Sequence, residues 1–166
     1  MNTRIQVEHP VTEMVTGVDL VREMILVAAG AKLRLRQEDI RLDGHAIEVR
    51  INAEDPAKNF MPAPGLVNQL TVPGGPGTRF DTMLYQGYQV PPFYDSLLGK
   101  LIVWGETREA AMNRLGRALG ELKIEGLKTT APLHCALLED PMVRSGDFHT
   151  RWLEPWLENH AANFAQ

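Results

Sequence analysis

His45-Ala46-Ile47-Glu48-Val49-Arg50-Ile51-Asn52-Ala53-Glu54 is the stretch that decides the fold. Ile47, Val49 and Ile51 alternate with Glu48, Arg50 and Asn52, a period of two that predicts a strand dry on one face and wet on the other. Asp55-Pro56 closes it, because proline has no N–H to give a ladder. Downstream, Leu97 to Trp104 is apolar apart from Lys100 and predicts a buried strand. Between the two lie a loop at Met61-Pro62-Ala63-Pro64-Gly65, a strand from Leu66 to Val72, a short strand from Tyr88 to Val90 and a corner at Pro91-Pro92. Pro73-Gly74-Gly75-Pro76-Gly77 predicts a tight turn leading into Thr78-Arg79-Phe80. It matches neither the P-loop nor the dinucleotide pattern, and two prolines among the glycines suit a hairpin connection.

Helical periodicity takes over beyond residue 106. Thr107 is placed to cap a helix whose seam is Met112, Leu115, Leu119 and Leu122, with Arg108, Arg114 and Arg117 on its other faces as solvated charge. A return strand follows at Ile124 to Leu127, then a helix from Thr130 to Glu139. Trp152, Leu153, Trp156 and Leu157 predict a terminal amphipathic turn or two that anchors by packing. Upstream, Thr16-Gly17-Val18-Asp19 reads as a capping box before a helix striped by Val18, Val21, Ile25 and Ala28, which should pack against something, and Gly30 stops it. Residues 31–42 form a connector.

The 166 residues, 44% hydrophobic and 23% charged, have a globular composition, and a net charge of −4 makes no case for nucleic acid as a partner. The longest wholly apolar run, Met24 to Ala29, is far short of the roughly 20 residues that span a bilayer. A single cysteine, Cys135, forbids an internal disulfide, suits a reducing compartment and is expected in the core of a helix.

Candidate chemistry sits at the start. Asn2, Arg4, Gln6 and Glu8 alternate with Thr3, Ile5 and Val7, so a strand would line up an amide, a cation, a neutral hydrogen bonder and a carboxylate on one face. Pro10 should break that strand. The row opens at Met1, and a motif that starts with the chain predicts a missing upstream segment. His9 fits a structural role at the strand end, and Lys100 should pair with a carboxylate such as Asp95 or reach outward to water.

Met1-Asn2-Thr3-Arg4-Ile5-Gln6-Val7-Glu8-His9-Pro10-Val11-Thr12-Glu13-Met14-Val15-Thr16-Gly17 resembles the signature of biotin carboxylases. The likeness continues through Gly44 to Pro56, Pro73 to Gly77, Tyr94 to Leu101 and Gly126 to Thr130, covering essentially the whole chain. It implies an α+β fold in three parts: the C-terminal remnant of an ATP-grasp domain at 1–42, the biotin carboxylase C-terminal domain at 43–150, mainly antiparallel sheet with packed helices, and a helical tail at 151–166. It also implies a two-stage ligase reaction, in which ATP activates bicarbonate to carboxyphosphate and the carboxyl group passes to biotin on a carrier protein. On the family pattern Glu8 is the general base, Arg4, Gln6 and the Val7 backbone cradle bicarbonate, and Asn2 is a ligand of magnesium or manganese. Arg79 matches the arginine that binds the biotin ureido group and steadies the negative oxygen developing on it, and it also contributes to holding bicarbonate.

The implied partners are a biotin carboxyl carrier, a carboxyltransferase component and a second copy of the chain. The implied location is the cytoplasm, or the mitochondrial matrix for a eukaryotic parent. The pattern's glutamate before Met1 and the domain that covers ATP are absent from these residues, so the chain alone is expected not to turn over. Two other readings compete: a noncatalytic module that binds a carboxylase partner or carrier, and a piece of another ATP-grasp ligase such as carbamoyl phosphate synthetase, which shares Asn-x-Arg but not Gln-Val-Glu-His-Pro.

Overall fold

In the computed structural model, residues 1–160 and Phe164 are described. Among them six α-helices and seven strands follow in the order α1 (His9–Thr16), α2 (Leu20–Ala28), β1 (His45–Asn52), β2 (Glu54–Asp55), β3 (Met61–Pro62), β4 (Gln69–Thr71), β5 (Thr78–Thr82), β6 (Leu97–Gly105), α3 (Arg108–Glu121), β7 (Lys123–Glu125), α4 (Ala131–Glu139), α5 (Pro141–Ser145) and α6 (Leu153–His160), with short 3-10 turns at Gln37–Asp39 and Pro56–Lys58. This is the α+β class expected.

The predicted strands at 45–54 and 97–104 are β1 and β6, and they pair antiparallel in a three-stranded sheet of order β1-β6-β5. The register sets Val49 and Phe80 on either side of Leu101, and Arg50 and Asp81 on either side of Lys100. Residues directly opposite share a face, so the alternation becomes two sheet faces of opposite character. Ile47, Val49, Ile51, Phe80, Leu101 and Val103 join Met112, Leu115, Ala118 and Leu119 of α3 in the main core. Fully burying a side chain such as Leu101, Val103 or Leu115 stabilises the fold by about 1.5–3 kcal/mol. The other face carries Glu48, Arg50, Arg79, Asp81 and Lys100, and α1 lies against its β1 and β6 strands. β1 ends at a register irregularity between Ile51 and Asn52.

α3 begins where predicted, the Thr107 hydroxyl accepting from the Ala110 N–H. Its arginines are only in part a solvated face: Arg117 is exposed, yet all three are tied to neighbouring elements. Arg108 donates to the Val143 carbonyl at 2.7 Å, Arg114 to the Trp104 carbonyl, and Arg117 to the Gly74 carbonyl and Thr78 Oγ1, both at 3.0 Å. The glycine turn thus docks on α3, and a side chain at Gly77 (φ 66°) would meet the Trp104 carbonyl oxygen at 2.8 Å. The C-terminal anchor is present: Trp156 is buried with Leu133 and Phe164 and stacks on His160 at 4.2 Å.

Several local expectations need correction. Met61-Pro62, expected in a loop, pairs with Glu54-Asp55, and Tyr88 to Val90 makes a single bridge, Leu66 to Gln89, in place of a strand. The strand expected at Leu66 to Val72 is Gln69–Thr71, and the one expected at Ile124 to Leu127 is Lys123–Glu125. α5 has no counterpart among the expected elements; Asp140 caps it and Gly146 ends it at φ 80°. Cys135 sits on α4 but is exposed. Thr16 closes α1 instead of opening a helix, its hydroxyl donating to the Thr12 carbonyl at 2.7 Å, and Asp19 caps α2 by accepting from the Arg22 N–H at 2.8 Å. The α2 stripe is uncovered among the described residues: Val21, Met24, Ile25 and Val27 are exposed, while Glu23 is buried in ion pairs with Arg22 and Arg34.

Candidate active site

Residues 2–8 are not a strand. They form an irregular segment that runs straight into α1, with no ladder partner for the alternation to pair with. Pro10 lies in the first turn of α1, where its fixed φ suits a helix and its missing N–H costs nothing, so it starts an element instead of breaking one. Glu8 becomes the N-cap residue, yet its carboxylate accepts no capping hydrogen bond. It faces the sheet, and its Oε2 accepts from Arg50 Nη2 at 3.0 Å.

The turn still gathers three residues of the predicted row, without Asn2. Arg4, Gln6 and Glu8, with Ile5, His9 and Thr12, line a cleft of about 260 Å³. Arg4 and Glu8 are exposed, Arg4 donating to the neighbouring Ile5 carbonyl at 2.9 Å. The Gln6 carbonyl is bonded to His9 Nδ1 at 2.9 Å and accepts from the His9 N–H at 3.2 Å, which gives His9 the structural role expected of it. The Val7 carbonyl accepts from Lys100 Nζ at 2.9 Å. Lys100 also lies 3.9 Å from Asp81, so neither Asp95 nor open solvent is its destination.

Arg79 is elsewhere engaged. Its Nε and Nη2 grip Asp81 at 2.8 and 2.7 Å, and its Nη1 donates to Glu13 Oε2 at 2.6 Å. The hydrogen bonds to Asp81 raise the guanidinium pKa further above its ordinary value, outweighing burial, with Glu13 adding to the effect. For Asp81, burial pushes the carboxyl up, but the Arg79 bonds and the charges of Arg79 and Lys100 carry it below the usual range. Arg79 therefore ties β5 to α1, and no bond joins it to Arg4 or Glu8 among the described residues. The arginine that reaches Glu8 is Arg50.

Two features of the charged face are not apparent from the sequence. Arg50 reads there only as part of a wet strand face, although its parity with Glu48 and Asn52 marks it as aligned with other polar groups. Glu48 buries both carboxylate oxygens without a hydrogen-bond partner; burial raises its pKa, offset in part by the nearby charges of Lys100 and Arg50. The Arg50 backbone is also fixed from behind: its carbonyl accepts from Thr130 Oγ1 at 3.0 Å and is bonded to His134 Nε2 at 2.9 Å. Burial lowers the His134 pKa, which keeps the imidazole neutral at pH 7 and its Nε2 a donor to that carbonyl.

Asn2 is one exposed amide, and the described residues contain no group of three or more His, Cys, Asp or Glu placed to hold a metal. Magnesium takes near-octahedral oxygen ligands, usually including carboxylate. These residues do not fit a magnesium site by themselves.

The sheet thus has α3 under one face and, at the edge of the other, the Arg50–Glu8 pair beside the cleft lined by Arg4 and Gln6. The model of the biotin carboxylase C-terminal domain matches residues 48–155, and that of the carbamoyl-phosphate synthase L chain, ATP binding domain, matches residues 1–36. The chain belongs to the biotin carboxylase family. It is 56% identical to biotin carboxylase 1 of Bacillus subtilis over 94% of this chain and 35% of that protein. It is also 56% identical to the biotin carboxylase of Haemophilus influenzae, over 93% of this chain and 34% of that protein. The biotin carboxylase domain dimer of Hydrogenobacter thermophilus 2-oxoglutarate carboxylase, solved with MgADP, ADP and bicarbonate, superposes with a TM-score of 0.94 at 51% identity, over 100% of this chain and 36% of that one. The chain thus spans about a third of the length of the relatives it matches.

Proposed function

We propose that these residues form the bicarbonate-activating part of a biotin carboxylase site. The reading is carried by the Glu8–Arg50 contact at 3.0 Å beside the cleft that Arg4 and Gln6 share. Bicarbonate is a weak nucleophile because its charge is delocalised. Glu8 takes its proton, leaving carbonate dianion and a neutral carboxylic acid, and a carbonate oxygen then displaces ADP from the terminal phosphorus of ATP to give carboxyphosphate. Arg4 and Arg50 hold the anion through charge-assisted, planar hydrogen-bond forks, with Gln6 and the Val7 backbone completing the cradle. Once Glu8 is neutral, its pull on Arg50 weakens, and the Arg50 guanidinium is freed to steady the negative oxygen developing on the biotin ureido group. That role passes from Arg79 to Arg50 because Arg79 spends its donors on Asp81 and Glu13.

Asn2 would contribute at most one ligand to a magnesium ion. The reading entails a biotin carrier and a carboxyltransferase component as partners, with a second copy of the chain as a third. The 166 residues alone are expected to bind bicarbonate without cleaving ATP.

Incubation with ATP, magnesium, bicarbonate and free biotin should release no bicarbonate-dependent ADP. A ¹³C-bicarbonate titration of the same chain should saturate, and should lose affinity in both Glu8→Gln and Arg50→Met. Unchanged affinity in both variants would sink the site assignment, and turnover by the chain would sink the expectation of inactivity.

A further inference from the structure

Lys100 is the one lysine in the central strand β6, and its side chain is only 12% exposed. A buried ammonium must be held by acceptors, or its desolvation is uncompensated. Two acceptors contact it, the Val7 carbonyl at 2.9 Å and Asp81 at 3.9 Å, while the Glu48 carboxylate on the same face feels its charge without bonding it. The carbonyl, at full hydrogen-bond distance, is the closer of the two. It belongs to the peptide that joins Val7 to Glu8, in a segment with no strand ladder to hold it.

We propose that Lys100 is the positioning residue of the anion cradle: its ammonium pins the Val7–Glu8 peptide to the sheet and so sets where the Glu8 carboxylate stands relative to Arg50. The proposal rests on the bicarbonate reading given above. Lys100 does not line the cleft, and its contacts are with the Val7 carbonyl and Asp81, not with Glu8. It acts through the backbone, and it can do so with precision because Arg50 is directly opposite it in the β1–β6 register. Both members of the Glu8–Arg50 pair are thereby referenced to one residue of one rigid strand, the arrangement that keeps a site near its working geometry.

The test uses the ¹⁵N-labelled full chain titrated with sodium bicarbonate at fixed pH and ionic strength, read at the amides of residues 4–9. Lys100→Met should weaken bicarbonate about tenfold, the lower end for losing a hydrogen bond that involves a charge. Lys100→Arg, which keeps a cationic donor, should recover most of that loss. Asp81→Asn removes the charge of the farther acceptor and leaves the Val7 bond in place, so its affinity should stay near that of the unaltered chain.

A second readout needs no ligand. The His9 and Val11 amides, which donate to the Gln6 and Glu8 carbonyls, should exchange faster with solvent in Lys100→Met while the α3 amides do not change. Bicarbonate affinity within twofold of the unaltered chain in Lys100→Met, an equal loss in Lys100→Arg, or a tenfold loss in Asp81→Asn would each overturn the proposal. If Glu8→Gln and Arg50→Met leave bicarbonate binding intact, the bicarbonate reading fails. Hydrogen exchange at His9 and Val11 still decides the pin: faster exchange supports it and unchanged exchange overturns it.

Discussion

Replacing Arg79 with methionine separates a structural arginine from a catalytic one. The change keeps most of the side-chain volume and removes three guanidinium contacts, two to Asp81 and one to Glu13. Glu13 is 9% exposed on its side chain and retains only the Leu20 N–H on its other oxygen, while Asp81 keeps Lys100 at 3.9 Å. Cutting one member out of a buried ion pair costs about 3–5 kcal/mol. Arg79 itself is 34% exposed, so solvent screening trims the loss to about 2–3 kcal/mol. At about 2–4 °C per kcal/mol for a chain of this size, Tm should fall by about 4–12 °C.

Urea unfolding followed by far-ultraviolet circular dichroism measures the loss directly, with an unchanged slope showing that the same surface is exposed. The pH dependence supplies a sign. Because the folded-state pKa of Asp81 lies below its unfolded value, its ion pairs contribute above about pH 4 and are lost as pH falls through the folded value. The gap between Arg79→Met and the unaltered chain should therefore narrow in acid. Bicarbonate binding should be unaffected. A loss below about 0.5 kcal/mol, the scale of an ordinary surface substitution, together with abolished bicarbonate binding would refute the reasoning and return Arg79 to the site.

Glu48→Gln should stabilise the chain at pH 7. The folded-state pKa of Glu48 is raised by burial, so its ionisation opposes folding once pH exceeds the unfolded value near 4, and the Tm gain should shrink towards pH 4; no gain at pH 7 would place an unseen partner on the carboxylate. Leu115→Ala, at a core position 2% exposed, should cost about 2–5 kcal/mol in urea unfolding, and a loss under 1 kcal/mol would mean that α3 does not seal the apolar face of the sheet.

The elements legible in the sequence are those with a period and a local signal together. β1 shows strict alternation closed by Asp55-Pro56, and α3 has both a stripe and the Thr107 cap. Residues 2–8 show the alternation of a strand as clearly as β1 does, yet the period records only which way side chains point in an extended chain. It cannot say whether a neighbouring strand exists to make extension worthwhile, and among the described residues none does.

The candidate site divides in the same way. Arg4, Gln6 and Glu8 are legible because they are neighbours in sequence, and the turn brings them to one cleft. Arg50 lies 42 residues from Glu8, and the β1–β6 register that sets it beside Lys100 is invisible in a single chain. Arg79 has the right side chain in a recognisable motif; Asp81, two residues on along the same strand face, is a local partner, but Glu13, 66 residues away, is joined to it only by the fold. The uncovered α2 stripe marks another limit: a helical period shows that an apolar face exists, not that these residues bury it.

The parity of β1 couples folding to chemistry in a way that constrains how the chain can vary. A one-residue slip of the β1 pairing would turn Ile47, Val49 and Ile51 outward and drive Glu48 and Arg50 under α3, so a single frame of pairing is inspected twice, once by the core and once by the anion cleft. A two-residue change would spare the core and still move Arg50 about 7 Å along the strand, out of reach of Glu8. Length changes in this segment should therefore be purged even when the protein folds. The irregularity after Ile51 is the nearest point at which the strand can absorb an extra residue without carrying the guanidinium away.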